Sequence, residues 1–367
     1  MKYCTKCVTP ETRPGVNFDE NGICNFCRYY DSLEKIDWEQ RKQQLLKIAE
    51  ETKQKKGLYD CVVGVSGGKD STYMTLYARD VLGLRVLLVN MVPDNITENG
   101  RHNLDNLQRM GFDTVQIRPN PKICRKLAKM AFYKWGNPVK PSEYALYASS
   151  VRFAIMYKIP LVLFDLETTT LDADSKDKSS GDASRINEQN TLGWSGSASH
   201  LVCEGVTLED LIPYQYPSQE EIKESGVKML YLGYFKRWSP QEHAMFSIAR
   251  GLQTRTDRPE DIGRYTNYHA LDDDSGIVNQ MIKYVKLGYG FTTDEVTADI
   301  WAGRITREEG IELLKKYDGK CSVKYIKQFC NYIDITLDEF WNVLEKFRGP
   351  MWKKNNIGEW ILNEPII

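Results

Sequence analysis

Ser66-Gly67-Gly68-Lys69-Asp70-Ser71 sets two hydroxyls, a cation and a carboxylate around a pair of glycines. Glycines let a backbone approach a ligand closely and adopt positive φ. Before them, Cys61 to Val65 holds three valines and reads as a strand buried on both faces. After them, Asp70 to Tyr77 reads as a helix-forming run. Strand, glycine turn and helix start together aim backbone N–H groups at an anion. The implied chemistry is phosphate binding by Val65, Ser66, Gly67, Gly68, Lys69, Asp70 and Ser71, with Asn90 at the end of the next strand beside them. The ordinary mononucleotide loop does not fit, because Gly64 lies one residue too close to Gly68 and Asp70 replaces the metal-binding hydroxyl. A carboxylate beside a phosphate nest needs a cation between them, so Asp70 reads as a Mg²⁺ anchor. Ser66, Lys69 and Asp70 are the candidate catalytic residues.

A second constellation opens the chain. Cys4-x-x-Cys7 and Cys24-x-x-Cys27 are two knuckles separated by 16 residues. Each puts two thiolates on one side of a tight turn, and two knuckles close a tetrahedron, which suits structural Zn²⁺. An iron–sulfur cluster is the competing occupant. Pro10, Pro14, Gly15 and Gly22 make the intervening segment a set of short turns, whose small core a metal would stabilise.

The elements that must position these residues alternate. Strands are expected at 85–90, 114–117, 161–164 and 229–235. Helices are expected at 38–55, 99–110, 123–135, 143–157 and 240–251. Such alternation predicts an α/β fold with a parallel, doubly wound sheet. Ligands bind such sheets beyond the carboxyl ends of the strands. That edge gathers the glycine loop, the segment after Asn90, and Asp165 to Thr169; Asp165, Glu167 and His102 are the candidate substrate contacts. Residues 171–199 are dense in Asp, Ser, Lys and Asn, and read as either disorder or a lid. The C-terminal part reads as helical, with capping boxes at Thr292/Glu295, Thr306/Glu309 and Thr336/Glu339, and with Gly303, Gly319 and Gly349 at helix ends. The expected domains are a zinc knuckle at 1–35, a nucleotide domain at 36–255 and a helical domain at 256–367.

Composition excludes several classes. A net charge of −1 over 367 residues argues against a general nucleic-acid binder. No apolar run reaches membrane-spanning length. No apolar core follows Met1-Lys2-Tyr3-Cys4, so no signal peptide is expected, and nine cysteines without one point to the cytoplasm rather than to a disulfide framework.

Ser-Gly-Gly-Lys-Asp-Ser resembles the PP-loop of the ATP pyrophosphatase superfamily. That resemblance implies cleavage of ATP between its α- and β-phosphates, transfer of AMP to a substrate oxygen and release of pyrophosphate. Further blocks resemble the N-acetyl sugar amidotransferase family: Cys4-x-x-Cys7, Thr9 to Gly15, the knuckle at Cys24, Tyr59-Asp60-Cys61, Asn190-Thr191-Leu192, Leu271 to Asp274, Ile282 to Lys286 and Gly303 to Gly310. The resemblance runs nearly the whole length. It implies conversion of an acetamido group on a nucleotide- or carrier-linked sugar, or on a nonulosonic acid, to an acetamidino group, in surface polysaccharide or flagellar glycan pathways. Two departures stand out. Similar proteins tend to carry Gly-Glu-Asn after the fourth strand, where this chain has Asp165-Leu166-Glu167, and an Arg where it has Phe291.

The proposed exchange needs ammonia. Lys2, not Cys, follows Met1, and Leu201-Val202-Cys203-Glu204-Gly205 lacks the first glycine of a class I glutaminase motif. A separate glutaminase partner is therefore expected, as the resemblance also implies. The alternative reading is a tRNA-thiolating enzyme, which would share the loop and knuckles and use Cys124 and Cys203. Neither lies in a Cys-x-x-Cys pair. The four histidines show no metal spacing and read as core or surface residues, and the Asp272-Asp273-Asp274 run as a solvated turn or helix start.

Overall fold

The computed structural model of the chain describes residues 1–165, 180–186 and 197–366. Strands β1 (Cys61–Gly64), β2 (Val86–Met91), β3 (Asp113–Ile117), β4 (Leu161–Phe164) and β5 (Lys228–Tyr231) form one sheet in the order β3-β2-β1-β4-β5. Every pairing is parallel, with Val62 opposite Leu87 on one side and Val162 on the other. The chain winds outward from β1 to β3 and then returns to the far side of β1. The switch point therefore falls between β1 and β4, where a crevice opens beyond the strand ends.

Burial on both faces explains the valine-rich β1. Val63 points into a core shared with Leu88, Leu163 and the helices α2 (Trp38–Lys53), α3 (Lys69–Asp80) and α4 (Glu98–Arg109). Val62 points into the opposite core with Leu87, Val162 and Val151 of α6 (Lys140–Met156). The expected fifth strand is shorter than 229–235: it ends at Tyr231, and Leu232–Phe235 turns into a single helical turn. Between β3 and α6, α5 (Pro121–Trp135) starts on Pro121 behind an Asn120 cap and stops at Gly136, whose φ is +54°.

Much of the 171–199 segment lies outside the described residues, as do Glu167 and Asn190-Thr191-Leu192. Its described part is not free: Ala183 N–H donates to Met229 O at 2.9 Å and Tyr231 N–H to Gly181 O at 2.9 Å, covering the edge of β5.

Beyond β5 come α7 (Pro240–Ile248), α8 (Ser275–Leu287), α9 (Phe291–Trp301), α10 (Arg307–Tyr317), α11 (Val323–Ile333) and α12 (Leu337–Glu345). A hairpin of β6 (Trp352–Lys354) and β7 (Trp360–Leu362) follows, which the helical expectation did not include. Phe340, Val343 and Leu344 pack as one face with Ile326, Phe329 and Phe132 of α5, so the sheet's helices and the C-terminal helices share a core.

Of the three capping boxes, only Thr306/Glu309 is complete. Thr336 caps Glu339 N–H, but the Glu339 carboxylate accepts from Tyr133 instead. Thr292/Glu295 is not a cap at all. The α9 helix starts at Phe291, Thr292 Oγ1 donates to Gly263 O at 2.8 Å, and Glu295 turns inward. A competitor for each side chain, the buried Gly263 carbonyl for Thr292 and a tyrosine or threonine hydroxyl for the two glutamates, overrode the local pattern.

Candidate functional site

The four cysteines meet as the spacing required. All four Sγ atoms lie within 4.8 Å of one another and are buried, with Cys4–Cys27 and Cys7–Cys24 each at 3.8 Å. A tetrahedron with Zn–S bonds of ~2.3 Å has an edge of ~3.8 Å, so the donors fit one Zn²⁺ with no position left open. A cubic iron–sulfur cluster inserts a body of metal and sulfide between its thiolates and needs them farther apart. Cys24 caps α1 (Asn25–Ser32) by accepting from Cys27 N–H, which fixes the second knuckle at a helix start. Backbone N–H groups of Lys6, Cys7 and Cys24 point at Cys4 Sγ, at 3.4, 3.4 and 3.2 Å, and stabilise thiolate charge. Trp301 Nε1–H donates to Cys27 Sγ at 3.0 Å, docking the knuckle on α9.

The glycine loop occupies the switch point. Gly67 has φ +87°, and a Cβ there would sit 2.8 Å from Gly100 O. Only glycine meets both the backbone and the space. Asn103 Nδ2 donates to Gly67 O at 2.9 Å, and Asn90 Nδ2 donates to Val65 O at 2.6 Å. Asn90 is fully buried and its Oδ1 has no protein partner. The expected phosphate contact is thus a clamp on the loop backbone with one acceptor to spare. Gly68 is the N-cap residue of α3, and its carbonyl accepts from Thr72 Oγ1 at 2.8 Å and Ser71 Oγ at 3.3 Å. With Ser71 and Thr72 turned back on the helix, the anion-directed groups are the first N–H groups of α3.

Lys69 and Asp70 form the charged centre. Lys69 is buried, and its Nζ lies 2.6 Å from Asp70 Oδ2 and 3.3 Å from His269 Nδ1. Asp70 Oδ1 lies 2.9 Å from His243 Nδ1. Burial alone would raise the Asp70 carboxyl, but the Lys69 ammonium and then the His243 hydrogen bond outweigh it and hold Asp70 well below the usual carboxylate range. His243 is fully buried, stacked on Tyr73 at 4.0 Å, and desolvation lowers its pKa, so Nδ1–H donates to Asp70 and Nε2 is bare. Both Asp70 oxygens are therefore engaged. Mg²⁺ at Asp70 requires Lys69 to leave Oδ2.

Three further carboxyl groups border the loop. Asp272 takes a hydrogen bond from Ser66, and burial followed by the Asp273 charge pushes it up to about 6. Asp165, just past β4, keeps solvent access, yet desolvation and then the Asp70 charge push it up to about 6. Glu295 is reached from Lys69 through His269, whose Nε2 lies 3.7 Å from Glu295 Oε1.

The sequence candidates separate accordingly. Ser66, Lys69, Asp70 and Asp165 gather at the crevice, Asn90 lies beneath it, and Glu167 is outside the described residues. His102 is half-buried on α4 and makes no hydrogen bond or ion pair with the loop. His243 and His269, read as core or surface residues, instead hold the two charged loop side chains from 173 and 200 positions away. No local spacing announces them. The Leu271 to Asp274 block, singled out by motif, did mark the segment that brings Asp272 and His269 in.

Residues 262–365 match the family model described as the LPS biosynthesis protein WbpG-like C-terminal domain. This supports the N-acetyl sugar amidotransferase-like family expected from the motifs. Among solved structures the chain is similar to the NMN synthetase from Francisella tularensis, at 12% identity, covering 82% of this chain and 98% of that one with a TM-score of 0.33. No curated protein matches. Among the described residues, no helix is long and apolar enough to cross a membrane.

Proposed function

With a lipopolysaccharide-biosynthesis domain as its C-terminal third, we propose that the chain is an ATP-dependent, AMP-forming amidotransferase. It adenylates the acetamido oxygen of an N-acetyl sugar destined for surface polysaccharide, and replaces that oxygen with ammonia supplied by a partner glutaminase. The observation that carries the reading is the positive-φ glycine loop at the sheet's switch point, with buried Lys69 and ionised Asp70 at its head and two histidines 170–200 residues downstream, His243 on α7 and His269 in a loop, closing on it.

The acetamido oxygen attacks the α-phosphorus of ATP, and the bond to the bridging oxygen of pyrophosphate breaks. The N–H groups at the start of α3 receive the departing pyrophosphate and Lys69 offsets its charge. Ammonia adds to the imidate carbon, AMP leaves, and a planar, cationic amidine remains, similar in shape to a guanidinium. Positioning and electrostatics account for most of the catalysis. Residues 1–35 form the zinc knuckle, 36–255 the nucleotide domain and 256–367 the helical domain that contributes His269, Asp272 and Glu295.

The tRNA-thiolation reading asks for reactive thiolates at Cys124 and Cys203. Burial pushes both thiols up, at Cys124 against the opposing effect of the Tyr214 hydroxyl at 3.3 Å and at Cys203 against Lys126 and Lys134, which disfavours the thiolates that reading needs.

The test incubates the protein with ATP, Mg²⁺, ammonium and a panel of acetamido sugars, reading sugar mass and nucleotide products. AMP and pyrophosphate should appear together with loss of O and gain of NH on the sugar. Orthophosphate and ADP as the products would overturn the reading.

A further inference from the structure

The two oxygens of Asp70 are held unequally. The carboxylate is ionised and its side chain is 23% exposed, so it can meet a cation. Oδ2 carries Lys69 Nζ at 2.6 Å, and that ammonium has another partner in His269 Nδ1 at 3.3 Å. Phosphate entering the loop offers Lys69 a second anion, and its flexible stem lets it turn there and free Oδ2. Oδ1 carries His243 Nδ1 at 2.9 Å. A carboxylate only accepts, so the hydrogen in that bond belongs to Nδ1.

His243 has no such freedom. It is 0% exposed, its ring stacks on Tyr73 with centroids 4.0 Å apart, and Trp238 meets it edge-on at 4.3 Å. The helix that carries it is pinned as well. One turn further along α7, Ser247 Oγ donates to Lys69 O at 3.0 Å, and Ser247 is also fully buried. The head of α3 is thus splinted by α7 through two hydrogen bonds, one to the Asp70 carboxylate and one to the backbone beside it. Turning the ring away from Asp70 would leave a buried N–H without an acceptor.

We propose that His243 is a positioning residue for the metal: by keeping Asp70 Oδ1 it leaves Oδ2 alone to the ion, and so selects a cation that binds a carboxylate through one oxygen, Mg²⁺ over Ca²⁺. The inference rests on the ATP and Mg²⁺ of the proposed function and not on its sugar chemistry. Mg²⁺ is small and holds to an octahedron, in which both oxygens of one carboxylate fit poorly. Ca²⁺ has a larger, looser shell that readily takes both. At Asp70 the second oxygen is available only if the His243 bond breaks, and that penalty falls on Ca²⁺ alone.

The test is calorimetric. The zinc-loaded full chain is titrated with α,β-methylene ATP, which cannot be cleaved at that bond, in excess Mg²⁺ or in excess Ca²⁺. The parent should prefer the Mg²⁺ complex. His243→Phe keeps a ring for the stack and removes the donor, and should cut that preference about tenfold. His243→Asn puts an amide N–H where Nδ1 was and should restore it. Damage to the fold alone would weaken both complexes and leave their ratio unchanged. A measurement on the parent covers the case in which His243→Phe does not fold. In chain labelled with ¹⁵N-histidine, the His243 Nδ1–H signal, assigned by its absence from His243→Asn, should persist in the Mg²⁺ complex. A ratio unchanged in His243→Phe, no rescue by His243→Asn, or loss of that signal overturns the proposal. The two readings fail separately. The expected ratios with no AMP formed from any acetamido sugar sink the amidotransferase and leave the role of His243 standing. AMP formed from such a sugar, with a ratio indifferent to His243→Phe, sinks that role alone.

Discussion

The cysteine knuckle and the glycine loop are both built from four to six residues within a short stretch of chain, yet they are finished differently. The donor set of the knuckle comes from its own residues: four sulfurs from positions 4 to 27 are placed to hold one tetrahedral metal, and distant Trp301 and Arg307 add hydrogen bonds. The loop leaves its two charged side chains unfinished. Asp70 and Lys69 are completed by His243 and His269, 173 and 200 positions further along the chain. A self-sufficient site stabilises, whereas a site completed from elsewhere waits for sequence-distant segments to pack and can therefore respond to a substrate. The contrast predicts that damage to the knuckle is read in folding and damage to the loop in turnover.

The sharpest way to break it is Cys24→Ser. Structural zinc supplies on the order of 10 kcal/mol to small zinc modules, so loss of one thiolate should release the ion and unfold the knuckle. Zinc content by atomic absorption should fall below one per chain, and proteolysis should cut first between residues 1 and 35. If Cys24→Ser keeps its zinc and its protease resistance, the cluster is not a metal centre.

Next in size is Asp70→Asn. It keeps the shape but removes the charge that Lys69 and His243 surround, so AMP formation should drop by about 10³-fold, or ~4 kcal/mol of transition-state stabilisation, with zinc retained. The substitution has a pH signature in stability. A carboxyl whose folded pKa is depressed adds stability that is complete above its ordinary value of 3.8 and is lost only as pH falls through the lower folded value. Asp70→Asn should therefore be less stable than the parent at pH 7, and the gap should close in strong acid. A constant gap across that range would mean the ion pair contributes nothing.

How much of this was legible in the sequence follows the same division. The knuckle was readable because metal ligands obey spacing. The strand, loop and helix from Cys61 to Tyr77 were readable because valine pattern and glycine punctuation are local. The partners of Lys69 and Asp70 were not, because a histidine brought in by tertiary packing has no neighbours in sequence that mark its role. Glu295 was misread for a related reason. Three residues after a threonine, it imitates a capping box, but Thr292 is drawn to Gly263 O and Glu295 to Thr266. Local pattern yielded to burial.

Gly67→Ala probes the loop more gently. The substitution puts a Cβ at φ +87° and 2.8 Å from Gly100 O, which α4 cannot easily yield. A cost of about 1–3 kcal/mol is expected, divided between lower stability and weaker nucleotide binding. Calorimetry should show ATP affinity falling about tenfold with zinc content unchanged. Unaltered affinity would mean that the nest does not contact phosphate.

The smallest effect tests one of the contacts that join the knuckle to the C-terminal helices, beside the Arg13–Asp294 ion pair and the hydrogen bonds from Arg307 to the Cys4 and Cys7 carbonyls. Trp301 Nε1–H donates to Cys27 Sγ at 3.0 Å, and its ring stacks on Tyr30 at 5.4 Å. Trp301→Phe keeps an aromatic ring for the stack and removes the donor. Hydrogen bonds around a metal's ligands tune affinity by roughly 10- to 100-fold, so zinc transfer to a chelator should be about tenfold more favourable at equilibrium. The loop should be indifferent, because α9 reaches it through Glu295 and His269 on another face. If AMP formation falls in step with zinc affinity, the knuckle is coupled to the loop through α9, and its apparent self-sufficiency is only that of its first four ligands.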